Sequence, residues 1–404
     1  MTGKARGPLD GLRVVETGQM IAGPFCGHLF ADYGAEVIKV EAPGQGDVMR
    51  TWGGLYKGLG LYWPVLAREK KSVTLDLRQP EGQSLLRALL GTADVVLENF
   101  RPGTLERWGL GWDTMRALNE RLIAVRVSGY GQTGPYRDKA GFGAIGEAMS
   151  GFRYLSGEPG RAPVRVGISI GDALAATHGF IGALLALYWR DRPGGSGHGQ
   201  MVDVGIYEAM WAYMEGLIAE YDKLGTVRQP TGPTLPKIAP SNVYPTADGQ
   251  WVLLAANADA VFRRFAVALG HPEWADAGAP YAAHHGRGER QEELDGLIAA
   301  WTQARSTDDI LARMDDAGVP AGRLYTAAEI ARDPHYAARE MIVEVPEPHL
   351  GGETIKMQGV VPKLSETPGR VTRGGPLLGE HNDPIWGGLV GIERLADLRA
   401  RGIV

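Results

Sequence analysis

Short β-branched runs alternate with longer amphipathic stretches over the first half of the chain. Leu12–Glu16, Glu36–Val40, Ser72–Leu77, Asp94–Glu98 and Leu122–Val127 read as strands. Between them, Pro24–Tyr33, Glu81–Thr92 and Leu105–Asn119 read as helices, each closed by Gly, Ala or Asn before the next strand. This alternation predicts an α/β fold with a parallel sheet covered by helices. After Ala219 the pattern changes. Gly225 to Pro240 holds four prolines and little periodicity and reads as a linker. A hairpin signal follows, Ser241–Pro245 and Gln250–Leu254 around Asp248-Gly249, then polar-faced helices at Ala258–Leu269, Gln291–Ala304 and Thr307–Ala317. That combination predicts a smaller α+β domain. A second hairpin signal at Met341–Gly359 and a terminal helix at Ile392–Arg401 close the chain. The expected layout is 1–224 as the first part of a large α/β domain, 225–327 as the small domain and 328–404 as a return segment.

One segment of the first half carries candidate chemistry. The run Val164, Val166, Ile168, Ile170 reads as a strand, and Ala173 to Trp189 reads as a buried helix, which places Asp172 at the helix N-cap. Two readings of Asp172 follow. As a cap it accepts hydrogen bonds from free N–H groups, worth about 1 kcal/mol. As a carboxylate nucleophile it is kept ionised by the helix dipole at the end of a strand, where α/β proteins hold their ligands.

Composition narrows the function classes. With 42 Lys+Arg against 47 Asp+Glu the formal charge is −5, so no global cationic field gathers nucleic acid or anionic membrane. The one cysteine, Cys26, sits in an apolar segment as core filler and has no disulfide partner, which suits a reducing compartment. No signal pattern follows Lys4 and Arg6, and no segment reads as apolar enough to cross a bilayer, so the expectation is a cytoplasmic protein without membrane or nucleic-acid partners.

Gly167-Ile168-Ser169-Ile170-Gly171 matches the G-x-S-x-G pattern of a hydrolase elbow, but alternation keeps Ser169 within the strand and puts the turn at Gly171-Asp172. No histidine pair has zinc-ligand spacing, and no metal is expected. The first strand runs into Thr17–Pro24, a turn whose N–H groups can hold a phosphate. Lys70, Lys71, Arg101, Arg107 and Lys139 all fall near strand ends. Each alone reads as a surface charge; together they make a candidate anion site beside Phe100 and Trp108.

These residues make the chain resemble the class III CoA-transferase family, which includes formyl-CoA and carnitine CoA-transferases and is related to the α-methylacyl-CoA racemases. The likeness runs through Ala22-Gly23-Pro24, Gly34–Glu41, Glu98–Gly103, Gly129–Tyr136, Gly171-Asp172, Gly197–Gln200 with Val202–Val204, and Gly379–His381. The resemblance implies that Asp172 is the catalytic nucleophile and that Ile21, Ala22, Lys70, Asn99, Phe100, Arg101, Arg107 and Lys139 line the CoA site. It also implies a large domain built from both chain ends and an interlocked-ring homodimer. CoA is then a substrate, with no tightly bound cofactor. Two departures stand out: Ala42 replaces the family arginine after the Ile-Lys-Val-Glu strand, and Ala255–Asp259 replaces a glycine loop.

The racemase branch needs a histidine base in a segment that here reads Ala140-Gly141-Phe142-Gly143, and phenylalanine accepts no proton. The stretches Ala140–Asp172 and Leu235–Asn242 look closest to the branch that uses dicarboxylates, such as the succinate–hydroxymethylglutarate and citramalate CoA-transferases. The implied reaction moves CoA between an acyl-CoA, succinyl-CoA first among the donors, and a carboxylic acid. The alternatives are a racemase-type enzyme and an idle CoA-binding scaffold. A dicarboxylate needs a cation for its second carboxylate. Arg165 is the candidate by alternation on the strand before Asp172, against the plainer reading of a salt bridge or a solvent-facing edge residue.

Overall fold

The computed structural model describes residues 7–404. They divide into two compact units: one takes in the chain up to Phe152, Val166–Leu217 and Pro334–Val404, the other Arg153–Arg165 and Ile218–Asp333. The segment Arg153–Arg165, expected in the large domain, thus belongs to the second unit.

The first unit is built on six parallel strands: β1 (Arg13–Glu16), β2 (Glu36–Glu41), β3 (Lys71–Thr74), β4 (Val95–Glu98), β5 (Ile123–Ser128) and β6 (Met201–Gly205). Their order across the sheet is β3-β2-β1-β4-β5-β6. Successive residues point to opposite faces, and both faces are buried. Val14, Val37, Val95, Leu97, Val125 and Val127 pack under α1 (Ala22–Asp32) and the long Ile170–Asp191 helix. Val15, Ile38, Val40, Val73, Val96 and Ala124 pack under Pro80–Leu90 and the C-terminal stretch, including Trp386, Leu395, Leu398 and Val404. The last residues therefore complete a layer begun by the first. Trp386 fixes this by donating from Nε1 to the Thr74 carbonyl at 3.0 Å.

The second unit pairs Ser241–Pro245, Trp251–Ala255 and Ala321–Arg323 into an antiparallel sheet. Its core comes from alternate positions, Tyr244, Val252 and Leu254, meeting Phe262, Phe265, Leu294, Ile298, Ile310 and Met314 from three helices.

Several local expectations are corrected. The Val164–Ile170 run forms no strand: Val164, Val166 and Ile168 are 53, 40 and 62% exposed, and no neighbouring strand satisfies their backbone. The strand beside β5 is β6, which the hydrophobic pattern did not single out. The helix starts at Ile170 rather than Ala173, so Asp172 lies in its first turn and Ser169, not Asp172, is the N-cap residue. The predicted Leu105–Asn119 helix is two pieces, Thr104–Arg107 and Trp112–Leu118, because Gly109 adopts φ +62° between them. The expectation that no segment suits a membrane by composition also fails, since the 22-residue Ile170–Asp191 helix is long and apolar enough. Its Ala175, Ala176, Ala183 and Ala186 are buried against the sheet.

Candidate active site

In an open parallel sheet, ligands bind outside the carboxyl ends of strands at the point where strand order reverses. Here that point lies between β1 and β4. The loops leaving these two strands and β5 line one cleft of about 190 Å³: Met20, Ile21 and Ala22 after β1, Asn99 to Pro102 after β4, and Ser128 at the end of β5 with Gly129, Arg137, Lys139, Gly141 and Phe142 after it. Asp172 lines the same cleft.

Each wall is held by its own fastening. Asn99 clamps the first loop by accepting from Gln19 N at 2.8 Å and donating to Gln19 O at 2.9 Å. Gly18 and Gly23 permit this approach, since a Cβ at either would meet Asn99 Oδ1 at 2.8 or 3.0 Å. Below it lies a buried ion frame. Lys39 Nζ donates to Glu16 and Gly18 O and forms an ion pair with Asp47, each at 2.8 Å, and Lys70 Nζ donates to Glu16 at 2.7 Å and Pro24 O at 2.6 Å. Asp47 in turn accepts the N–H of Met20, which sits at φ +64°. On the next wall Glu98 accepts from Phe100 N at 2.7 Å and from Arg126 Nε at 2.6 Å; burial raises its carboxyl above the ordinary range despite Arg126. The third loop is tied by Ser128 and Asp203, which accept from Gly131 N and Gln132 N.

The cleft is cationic at its rim and apolar within. Arg101, Arg137 and Lys139 line it together with Ile21, Phe100, Phe142 and Ile206. The Lys139 ammonium lies 3.5 Å from the centre of the Tyr136 ring, and Arg101 donates to Asp138 O at 3.0 Å. Phe100 meets Trp108 edge-on at 5.4 Å.

Of the residues named from sequence, Asp172, Ile21, Ala22, Asn99, Phe100, Arg101 and Lys139 come together in this cleft. Lys70 and Arg107 do not. The Lys70 side chain is buried against Glu16, and Arg107 is exposed and donates to Thr104 Oγ1 at 3.0 Å. Arg165 lies on the second unit in an exposed segment without strand structure, so the alternation that singled it out is absent. Ser169 is outside the cleft lining. Cys26 is fully buried, and burial pushes its thiol far up, away from reactivity.

Sequence reasoning missed Arg137, Glu16 and Lys39. Arg137 stands beside Asp138, Glu16 closes its predicted strand, and Lys39 lies within one, and none of these positions carries a signal in the sequence that separates it from an ordinary charge.

The chemistry of such a cleft is a carboxylate beside cations that suit a phosphorylated ligand. Comparison with known proteins agrees. The model of the family described as CoA-transferase family III matches residues 9–382. A succinyl-CoA–D-citramalate CoA-transferase of Chloroflexus aurantiacus is 58% identical over 98% of both chains. A succinate–glutarate CoA-transferase of Agrobacterium fabrum is 36% identical over 96% of this chain and 97% of its own. A CAIB/BAIF family protein of Brucella suis, known by crystal structure, superposes with a TM-score of 0.82 at 33% identity, covering 95% of this chain and all of its own. The chain is thus a CoA-transferase and belongs to CoA-transferase family III.

Proposed function

We propose that this enzyme moves CoA from succinyl-CoA to a second dicarboxylic acid, with Asp172 as the covalent carrier. The observation that carries the reading is the Asp172 carboxylate lining the same cleft as Arg101, Arg137 and Lys139. The donor and acceptor class rest on the relatives, whose names pair succinyl-CoA or succinate with citramalate or glutarate.

The chemistry runs in four exchanges. Asp172 attacks the thioester carbonyl, giving an aspartyl–succinyl anhydride and CoA thiolate. The thiolate attacks the aspartyl carbonyl, releasing succinate and leaving an aspartyl-CoA thioester. The acceptor carboxylate attacks this thioester, again freeing the thiolate beside a mixed anhydride. The thiolate takes the acceptor acyl group, and Asp172 is restored. The thioester is conserved, so no ATP is required. A carboxylate is a weak nucleophile, and positioning supplies several kcal/mol of the barrier reduction. CoA must stay bound through both anhydrides, which gives Lys139 and Arg101 a role during turnover as well as in capture.

CoA is a substrate here rather than a resident cofactor. The acceptor's second carboxylate needs a cation, and Arg137 takes the role that sequence first suggested for Arg165. An interlocked-ring homodimer in the cytoplasm completes the reading, and its subunits should stay together at nanomolar dilution. A racemase would need a second base where Phe142 stands; phenylalanine has no proton to exchange. An idle scaffold would bind CoA without exchanging it.

The test offers succinyl-CoA with a panel of dicarboxylic and monocarboxylic acids and identifies the CoA products by mass spectrometry. New dicarboxyl-CoA thioesters without deuterium uptake at the α-carbon are expected. Products from monocarboxylates only would remove the dicarboxylate assignment, and no product at all would favour the scaffold. Arg137→Met should raise KM for the dicarboxylate about tenfold more than for a matched monocarboxylate.

A further inference from the structure

Gly143 opens the short helix Gly143–Met149, and nothing in its own backbone calls for glycine. Its φ lies outside the left-handed region, and glycine within a helix costs about 0.5–1 kcal/mol relative to alanine. What excludes a side chain there is Asp172. A Cβ on Gly143 would overlap Asp172 Oδ2, and would lie 2.9 Å from Cγ and 3.2 Å from Oδ1. Two other carboxylates would overlap a glycine's Cβ in this way, Glu16 on Gly27 and Glu347 on Gly374, while Glu208 stands off Gly205 at 2.8 Å. Both are fully buried and saturated with partners: Glu16 by Lys39 and Lys70, Glu347 by His349 and the Gly375 N–H. The carboxylate on Gly143 is the one of the three that lines the cleft.

We infer that Gly143 is a positioning residue, its missing side chain forming the seat that holds the Asp172 carboxylate where acyl transfer reaches it. This rests on the reading of Asp172 as nucleophile. Any side chain at 143 turns the carboxylate out of its seat without touching the cations that hold CoA. A displacement of about 1 Å costs on the order of a hundredfold in rate.

Gly143→Ala should therefore lower kcat about a hundredfold while KM for succinyl-CoA changes less than about threefold. Trapping of activated Asp172 by hydroxylamine should slow in parallel. A double-mutant cycle on Tm gives a readout independent of chemistry. Gly143→Ala should lower Tm in the native background, and should leave it unchanged or raise it in the Asp172→Ala background, where the clash is gone. Equal shifts in both backgrounds, failure to fold in both, or near-native kcat in Gly143→Ala would each overturn the seat. Persistent transfer by Asp172→Ala would instead remove the nucleophile reading, and the Tm cycle would still report on the contact.

Discussion

Two groups of charge lie beneath and around the first unit's cleft, and the protein treats them in opposite ways. In the frame beneath the first loop, Glu16, Lys39, Asp47 and Lys70 are all buried, and each finds its counter-charge within 2.8 Å. At the cleft rim, Arg101 and Lys139 are exposed, and the exposed Arg137 pairs with its neighbour Asp138 at 3.4 Å. Charges buried without water must be matched by the protein itself, so they act as a frame. Charges left at a rim keep their capacity for an anionic ligand. The same residue type thus stands in two settings: Lys70 is buried at the α1 entrance, and Lys139 is exposed at the cleft rim.

The sharpest break of this comparison is at the carboxylate that shares the cleft with these cations. Asp172→Ala should reduce transfer more than about a thousandfold, about 4 kcal/mol, while fold and CoA binding persist. A CoA-exchange assay with a binding measurement checks both halves. Next in size is the frame. Lys39→Met leaves Glu16 and Asp47 facing each other in the interior without their shared cation, and should cost about 3–5 kcal/mol of stability in denaturant unfolding. An equally large loss from Lys139→Met would erase the distinction between the groups. At the rim, Lys139→Met should instead raise KM for succinyl-CoA about tenfold with kcat and Tm little changed, and the native KM should rise with salt.

The smallest effect is in pH. Burial works to raise the Glu41 and Asp47 carboxyls, but Arg50 and Lys39 beside Glu41, and Lys39 beside Asp47, hold both below their ordinary values. The unfolded chain therefore takes up protons first as pH falls. The stability these groups supply is complete above the ordinary carboxylate range, near pH 4, and is lost as pH falls from there through their folded values. Asp47→Asn should make the acid limb of a Tm-against-pH curve shallower; an unchanged limb would separate Asp47 from the frame.

The sheet was legible because Val14-Val15, Val37-Ile38 and Val95-Val96 pack into opposite layers, and that leaves a β-branched signature in the sequence. Met201–Gly205 was not, since its apolar positions are interrupted by Asp203 and it has one neighbour. The Val164–Ile170 run shows the converse, a strand-like pattern without a partner. Asp172 stood out through its surrounding motif rather than through its local structure, which was misread by one turn boundary. Lys70 was expected at the CoA site because a strand-end lysine looks the same in sequence whether it faces solvent or Glu16, 54 residues away. Gly143 left no signal in the sequence, because the helix it opens was not predicted and its contact with Asp172 spans 29 residues.

The most direct measurement is hydroxylamine trapping during turnover, followed by peptide mass spectrometry. Hydroxylamine attacks the aspartyl carbonyl of the anhydride or thioester and leaves a hydroxamate on the protein. With succinyl-CoA present, inactivation should track a single hydroxamate at Asp172, and no modification should form without acyl-CoA. A hydroxamate at another residue, or full turnover in hydroxylamine with Asp172 unmodified, would contradict the covalent role.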